Sequence, residues 1–186
     1  MTVAAPEPGD QSVRMQIGVL GATGPAGRGL ATRLASAGFD VVVGSRSKYR
    51  ALEVVDRILE RWPDRELSLS AGTNHDASCA EVVFIATPWD AAATTAREGE
   101  RELKGKVVIS MANALAKVGH EFQPLVPPRG SVAASVQAAV PRSLVAATMH
   151  HVPAKELGDI DHPVESDVLV CSDHPSATAP TIDIVS

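Results

Sequence analysis

Short, almost unbroken apolar runs alternate with amphipathic stretches along this chain. Residues 15–20 (MQIGVL), 40–44 (DVVVG), 81–86 (EVVFIA), 106–110 (KVVIS), 143–147 and 167–171 (DVLVC) read as strands, with a weaker one at 67–71. Between them, 25–38 has helical spacing with Leu30, Leu34 and Ala37 on one face, and 47–62 sets Leu52, Val55, Ile58 and Leu59 at helical intervals. Further helices are expected at about 89–101 and 130–139. Continuously apolar strands are buried on both faces, the mark of a parallel sheet covered by helices, with right-handed crossovers. The segment 111–129, with Pro124, Pro127 and Pro128, reads as a long loop of the kind that often carries function. Pro175 and Pro180 argue against a regular helix in 174–186.

Composition narrows the class. At 186 residues, with 45% hydrophobic and 21% charged positions, the chain is ordinary globular material and long enough for one real core. Aromatics are only 3%, so Val, Ala, Leu and Ile must fill that core. Residues 1–14 hold Pro6, Glu7, Pro8 and Asp10 and no apolar centre; they read as a solvated tail and not a signal peptide, leaving 15–186 as the domain. A net charge of −5 gives no reason to expect nucleic acid as a partner, and no apolar run approaches the roughly 18 residues of a membrane span. Cys79 and Cys171 are too few for a disulfide framework, so a reduced cytoplasm is expected, with both thiols read as buried small hydrophobes.

The first strand runs into Gly21-Ala22-Thr23-Gly24-Pro25-Ala26-Gly27 and then a helix. Strand, glycine-rich turn and helix together make a dinucleotide-binding hypothesis and predict an α/β fold, a single Rossmann-like doubly wound sheet. Gly24 would admit a pyrophosphate close to the backbone, Gly27 would let the helix pack on the strand, and Pro25 suits a first helical position. The first glycine of the usual pattern is here Ala22, with Gly21 just before it; an ordinary glycine-rich turn is the plainer alternative. The second strand ends Val43-Gly44-Ser45-Arg46. An NAD site would carry a carboxylate there to hold the ribose 2′-hydroxyl. Ser45 and Arg46, with Lys48 and Arg50 beyond, suit a 2′-phosphate instead, the signature of NADP; the alternative is a solvated basic loop.

Other candidates sit at strand ends. Thr87-Pro88-Trp89 follows the fourth strand, where Trp89 either covers a cofactor or simply packs. Ser110-Met111-Ala112-Asn113 ends the next strand. The pair His150-His151 has no partners at metal-ligand spacing, so no metal is expected, and at least one of the two could line a substrate pocket. Ser172-Asp173-His174 are merely sequential and make no hydrolase triad.

These pieces together resemble one family, the NADPH-dependent coenzyme F420 reductases, or deazaflavin:NADP oxidoreductases. The resemblance rests on IGVLGATGPAGRGLATRLASAG, VVVGSR, the TPW after the fourth strand, HHVPA and the DVLVC strand, over about 15–173. A weaker one is to the cytosolic domain of ferric reductases. The family resemblance implies an enzyme that passes a hydride between NADP(H) and coenzyme F420, with no general acid or base named. It implies that Thr23, Gly24, Pro25 and Ala26 surround the NADP phosphates and that Ser45, Arg46 and Arg50 hold the 2′-phosphate. Thr87, Ala112 and Ala154 would complete the cofactor site, and His150 and Val152 would line the deazaflavin side. Family members continue past this chain's end with a segment that helps form the deazaflavin pocket and the dimer, so a C-terminally shortened member is expected, with a homodimer left open. An NADP-binding sensor without catalysis, or an NADPH-dependent flavin or ferric reductase, are the competing readings.

Overall fold

A computed structural model describes residues 14–186; the expected tail lies almost wholly outside them. Seven strands form one sheet in the order β3-β2-β1-β4-β5-β8-β9. They are β1 (Gln16–Leu20), β2 (Asp40–Ser45), β3 (Leu69–Thr73), β4 (Val82–Ile85), β5 (Val107–Ser110), β8 (Leu144–Ala147) and β9 (Cys171–Ser172). All neighbours are parallel except β8 and β9, which are antiparallel. The helices are α1 (Pro25–Ser36), α2 (Lys48–Arg61), α3 (Asn74–Ser78), α4 (Trp89–Glu98), α5 (Glu100–Leu103), α6 (Val132–Ala139), α7 (Ala154–Leu157) and α8 (Pro175–Val185).

Strand side chains alternate between two cores, one on each face. Ile17, Val19, Val41, Val43, Phe84 and Ile109 pack with α1, α2, α7 and α8. Leu20, Val42, Val83, Ile85, Val108 and Val145 pack with α3 to α6. Both faces are therefore apolar, as continuous strand hydrophobicity requires. The helix α3 lies so close to β1 that a Cβ on Gly18 would stand 1.9 Å from the Ala77 carbonyl oxygen, so only glycine fits there. Gly27 plays the same part for α1: a Cβ would meet Ala22 Cα and Gly21 O at 2.8 Å.

Several expectations are corrected. The predicted helix at 47–62 buries Ala51, Val54, Val55 and Ile58, while Leu52 and Leu59 are exposed, so the buried stripe is rotated from the predicted one by the way the helix packs on the sheet. Ala37 caps α1 and is exposed. Gly99 divides the predicted 89–101 helix into α4 and α5. The expected strand at 167–171 shrinks to Cys171–Ser172 at an antiparallel edge, where Cys171 is exposed; Cys79, at the end of α3, is exposed too. The expected loop 111–129 contains a hairpin, β6 (Leu115–Val118) and β7 (Glu121–Pro124), turned by Gly119 at φ +62°. Finally, 175–185 is helical despite its prolines. Pro175 stands at the first position, where its missing N–H costs little. Pro180 forfeits one bond, offset by burial of Ala177, Thr181 and Ile184 and by the Thr181 hydroxyl donating to Ala177 O at 2.7 Å.

Candidate functional site

In an open α/β sheet, ligands bind at the carboxyl ends of the strands where strand order reverses. Here the reversal falls between β1, which leads outward to β2, and β4. The turn after β1 is anchored from both sides. Gly21 has φ +76°, and a Cβ there would strike Thr87 Cγ2 at 2.5 Å. Ala22 N donates to Gly44 O at 2.9 Å, and Gly21 N donates to Asn74 Oδ1 at 3.3 Å. Asn74 opens α3, whose start is closed by a reciprocal cap: the Thr73 hydroxyl accepts from Asp76 N, and Asp76 accepts from Thr73 N. The Thr73 N–H and the Thr73 hydroxyl, both donating to the carboxylate, hold the Asp76 carboxyl below the usual carboxylate range. By contrast, α1 has no side-chain cap and no acidic residue in its first turn. Its free N–H groups and positive dipole end are left to whatever lies in front of them.

What lies in front is a cavity of about 820 Å³ lined by Gly21, Thr23, Gly24, Ser45, Arg46 and Arg50 together with Asn74, Thr87, Thr94, Thr95 and Glu98. Ser45 is buried and its hydroxyl accepts from Ser47 N at 3.3 Å. Arg46 and Arg50 are exposed, and neither has a carboxylate partner among the described residues. The Thr87 hydroxyl is buried without a hydrogen-bond partner among the described residues. An uncapped helix start, two free guanidinium groups and an orphaned hydroxyl around one cavity fit the phosphates and amide of a dinucleotide.

The remaining predicted residues separate. Ala112 and His150 line a second cavity of about 690 Å³, with Asn113, Ser131, Gln137 and Asp173. Asn113 Nδ2 donates to His150 O at 3.3 Å, tying its two rims together. His150 follows Met149, whose φ of 59° is the one left-handed non-glycine backbone among the described residues; burial of the Met149 and Val152 side chains in the core holds that turn. Val152 and Ala26 therefore pack against the core and line neither cavity. Trp89 also packs, against the core under α4. Pro25 and Ala154 line a separate groove behind α1. Among the described residues, no cluster of three or more His, Cys, Asp or Glu is placed for a metal, and no helix is long and apolar enough to cross a membrane. Asn74, Thr94, Thr95 and Glu98 escaped the sequence reading. Asn74 follows the end of β3, which runs two residues beyond the predicted strand, and strand-end position is the signal that could have found it.

Burial and the neighbouring His151 both lower the His150 pKa, burial most. A base held neutral by the fold costs stability when protonated. Stability is therefore fully present above its ordinary value near 6.5 and falls as pH drops through that value toward the depressed one. His150→Gln is expected to flatten the melting temperature against pH below about 6.5, measured by thermal unfolding; an unchanged profile would mean the imidazole is not held neutral.

Fold and site together define a dinucleotide-binding α/β oxidoreductase. The family described as NADP oxidoreductase, coenzyme F420-dependent, matches residues 16–114. The F420-dependent NADP reductase of Methanocaldococcus jannaschii is 36% identical over 92% of this chain and 79% of its own length. That of Methanothermobacter marburgensis is 33% identical over 88% and 75%. Among solved structures, an Arthrobacter protein assigned as an F420-dependent NADP reductase superposes with a TM-score of 0.75 at 25% identity, over 92% of this chain and 79% of that one. The chain belongs to the coenzyme F420-dependent NADP oxidoreductase family.

Proposed function

We propose that this chain transfers a hydride between NADP(H) and the deazaflavin coenzyme F420, with the dinucleotide in the cavity above β1 and β4 and the deazaflavin in the cavity beside His150. The observation that carries this is the cavity itself, where an uncapped α1, the orphaned Thr87 hydroxyl and unpaired Arg46 and Arg50 surround one space and no carboxylate ends β2. Thr23 and the N–H groups after Gly24 bind phosphate. Ser45, Arg46 and Arg50 select the 2′-phosphate. Thr87 orients the nicotinamide end by its free hydroxyl. Asn113 and the buried Met149 fix the His150 backbone, and a neutral His150 adds no positive charge to the acceptor cavity. The bound pair supplies the hydride chemistry, and the protein supplies alignment and exclusion of water. A cytoplasmic setting, in keeping with two free cysteines, completes this reading, and the family resemblance leaves a homodimer open.

Stopped-flow oxidation of NADPH with the deazaflavin, with FAD, or with neither is the test. Rapid oxidation with the deazaflavin alone is expected. Oxidation only with FAD would give the flavin-reductase reading, and binding without turnover would leave an NADP-binding sensor.

Arg33 carries a further expectation. Its guanidinium donates to the carbonyls of His162 at 3.0 Å, Glu156 at 2.8 Å and Asp159, and so fastens α7 to α1. Because α7 begins two residues after Val152, Arg33→Met is expected to raise KM for the deazaflavin several-fold and leave NADP+ affinity unchanged. Equal losses for both ligands in steady-state and binding measurements would make the effect a general loosening of the fold.

A further inference from the structure

We infer that the groove between α1, α2 and α7 is a second anion site, shaped for a small, multiply charged molecule bearing phosphate or carboxylate groups. The groove is about 600 Å³ and shares no lining residue with either cavity described above. Four cations line it, Arg28 from α1, Arg57 and Arg61 from α2, and Lys155 from α7, and no carboxylate does. In a chain with 22 acidic and 17 basic residues, a wall of four cations and no acid runs against the overall balance.

The local pairing leaves that charge largely uncompensated. Arg57 and Arg61 are one turn apart on the same helix, a like-charge spacing that costs a few tenths of a kcal/mol when nothing intervenes. Glu53 approaches Arg57 only to 3.9 Å, and both side chains are well exposed. The Arg61 guanidinium lies 5.2 Å from the Trp62 ring centroid, which orients it without neutralising it. Arg28 and Lys155 have no carboxylate partner among the described residues. The floor is compact: a Cβ on Gly29 would stand 2.8 Å from Ala154 O and 3.0 Å from Gly158 N, so α1 and α7 meet backbone to backbone beneath the cations. A multiply charged anion there would satisfy groups from three elements at once. It would also brace the joint that Arg33 pins, next to the segment carrying His150.

The experiment uses the full chain with NADP+ present at saturation, so that the dinucleotide cavity is filled. Tripolyphosphate, tricarballylate and sodium chloride at matched ionic strength are titrated in turn by calorimetry. Saturable binding of at least one polyanion is expected, and which of the two binds distinguishes phosphate from carboxylate chemistry. Arg28→Ala and the surface variant Lys155→Glu should each weaken it tenfold or more while NADP+ affinity stays unchanged. Heats no different from those of matched salt would overturn the proposal. So would polyanion affinity unaltered in Lys155→Glu, or a fall in NADP+ affinity in Arg28→Ala, which would assign that guanidinium to the dinucleotide cavity.

Discussion

Arg46→Ala is expected to weaken NADPH binding by about 1.5–3 kcal/mol, roughly ten- to a hundredfold, and to leave NADH nearly unaffected. The difference arises because the two cofactors differ only in the 2′-phosphate. At the end of β2 the structure offers Ser45, Arg46 and Arg50 to that group and no carboxylate to a bare ribose. Arg46 is exposed and free of ion pairs among the described residues, so its removal breaks no ion pair and stability should hold. Titration calorimetry with both cofactors reads the result; equal losses would sink the 2′-phosphate assignment.

Gly24→Val should abolish dinucleotide binding in a protein that still folds. Two physical causes can require glycine at such a position, a special backbone conformation or a close approach by ligand. The structure removes the first: Gly24 has φ −74° and ψ 162°, ordinary values for any residue. A Cβ there would meet only Gly21 O, at 3.7 Å, which is normal contact. The fold therefore has room for a Cβ at 24, and the main penalty falls on whatever approaches the start of α1. Gly21 and Gly27 differ, since a Cβ at either collides with protein at 2.5 and 2.8 Å. The check is a melting temperature close to wild type together with no detectable NADPH binding; normal binding would place the phosphates elsewhere.

The parallel strands were legible because burial on both faces writes an unbroken apolar run, as in Val41-Val42-Val43 and Val82 to Ile85. The strand-end rule then brought Thr23, Ser45, Arg46 and Thr87 to one crevice. Less legible was whatever depends on neighbours distant in sequence. Leu52 and Leu59 fit a helical stripe as well as Ala51 and Val54 do, and only the packing of α2 on the sheet selects the phase. Pro180 sits inside a helix because burial of Ala177 and Ile184 outweighs one lost bond, a balance invisible locally. The hairpin did have a local sign in Val118-Gly119-His120-Glu121, a glycine at the first of two turn positions, overshadowed by the prolines around it. Val152 and Ala154, taken over from the family resemblance, fall in the core and behind α1. The residue pattern alone could not show which side of the backbone they take.

The β6–β7 hairpin is a two-stranded ribbon with every side chain but that of Ala116 exposed. Such a ribbon has little of its own to resist opening. Its amide protons should therefore exchange with solvent well before those of the central strands, and proteases should cut there first. Yet the ribbon's base is closed by Leu125 N donating to Ala114 O at 2.8 Å, and both residues belong to the wall of the cavity that holds His150. A molecule lodged in that cavity rests against the base of this exposed ribbon. Its arrival would be recorded as slowed exchange across 114–125, a signal of occupancy that is independent of turnover.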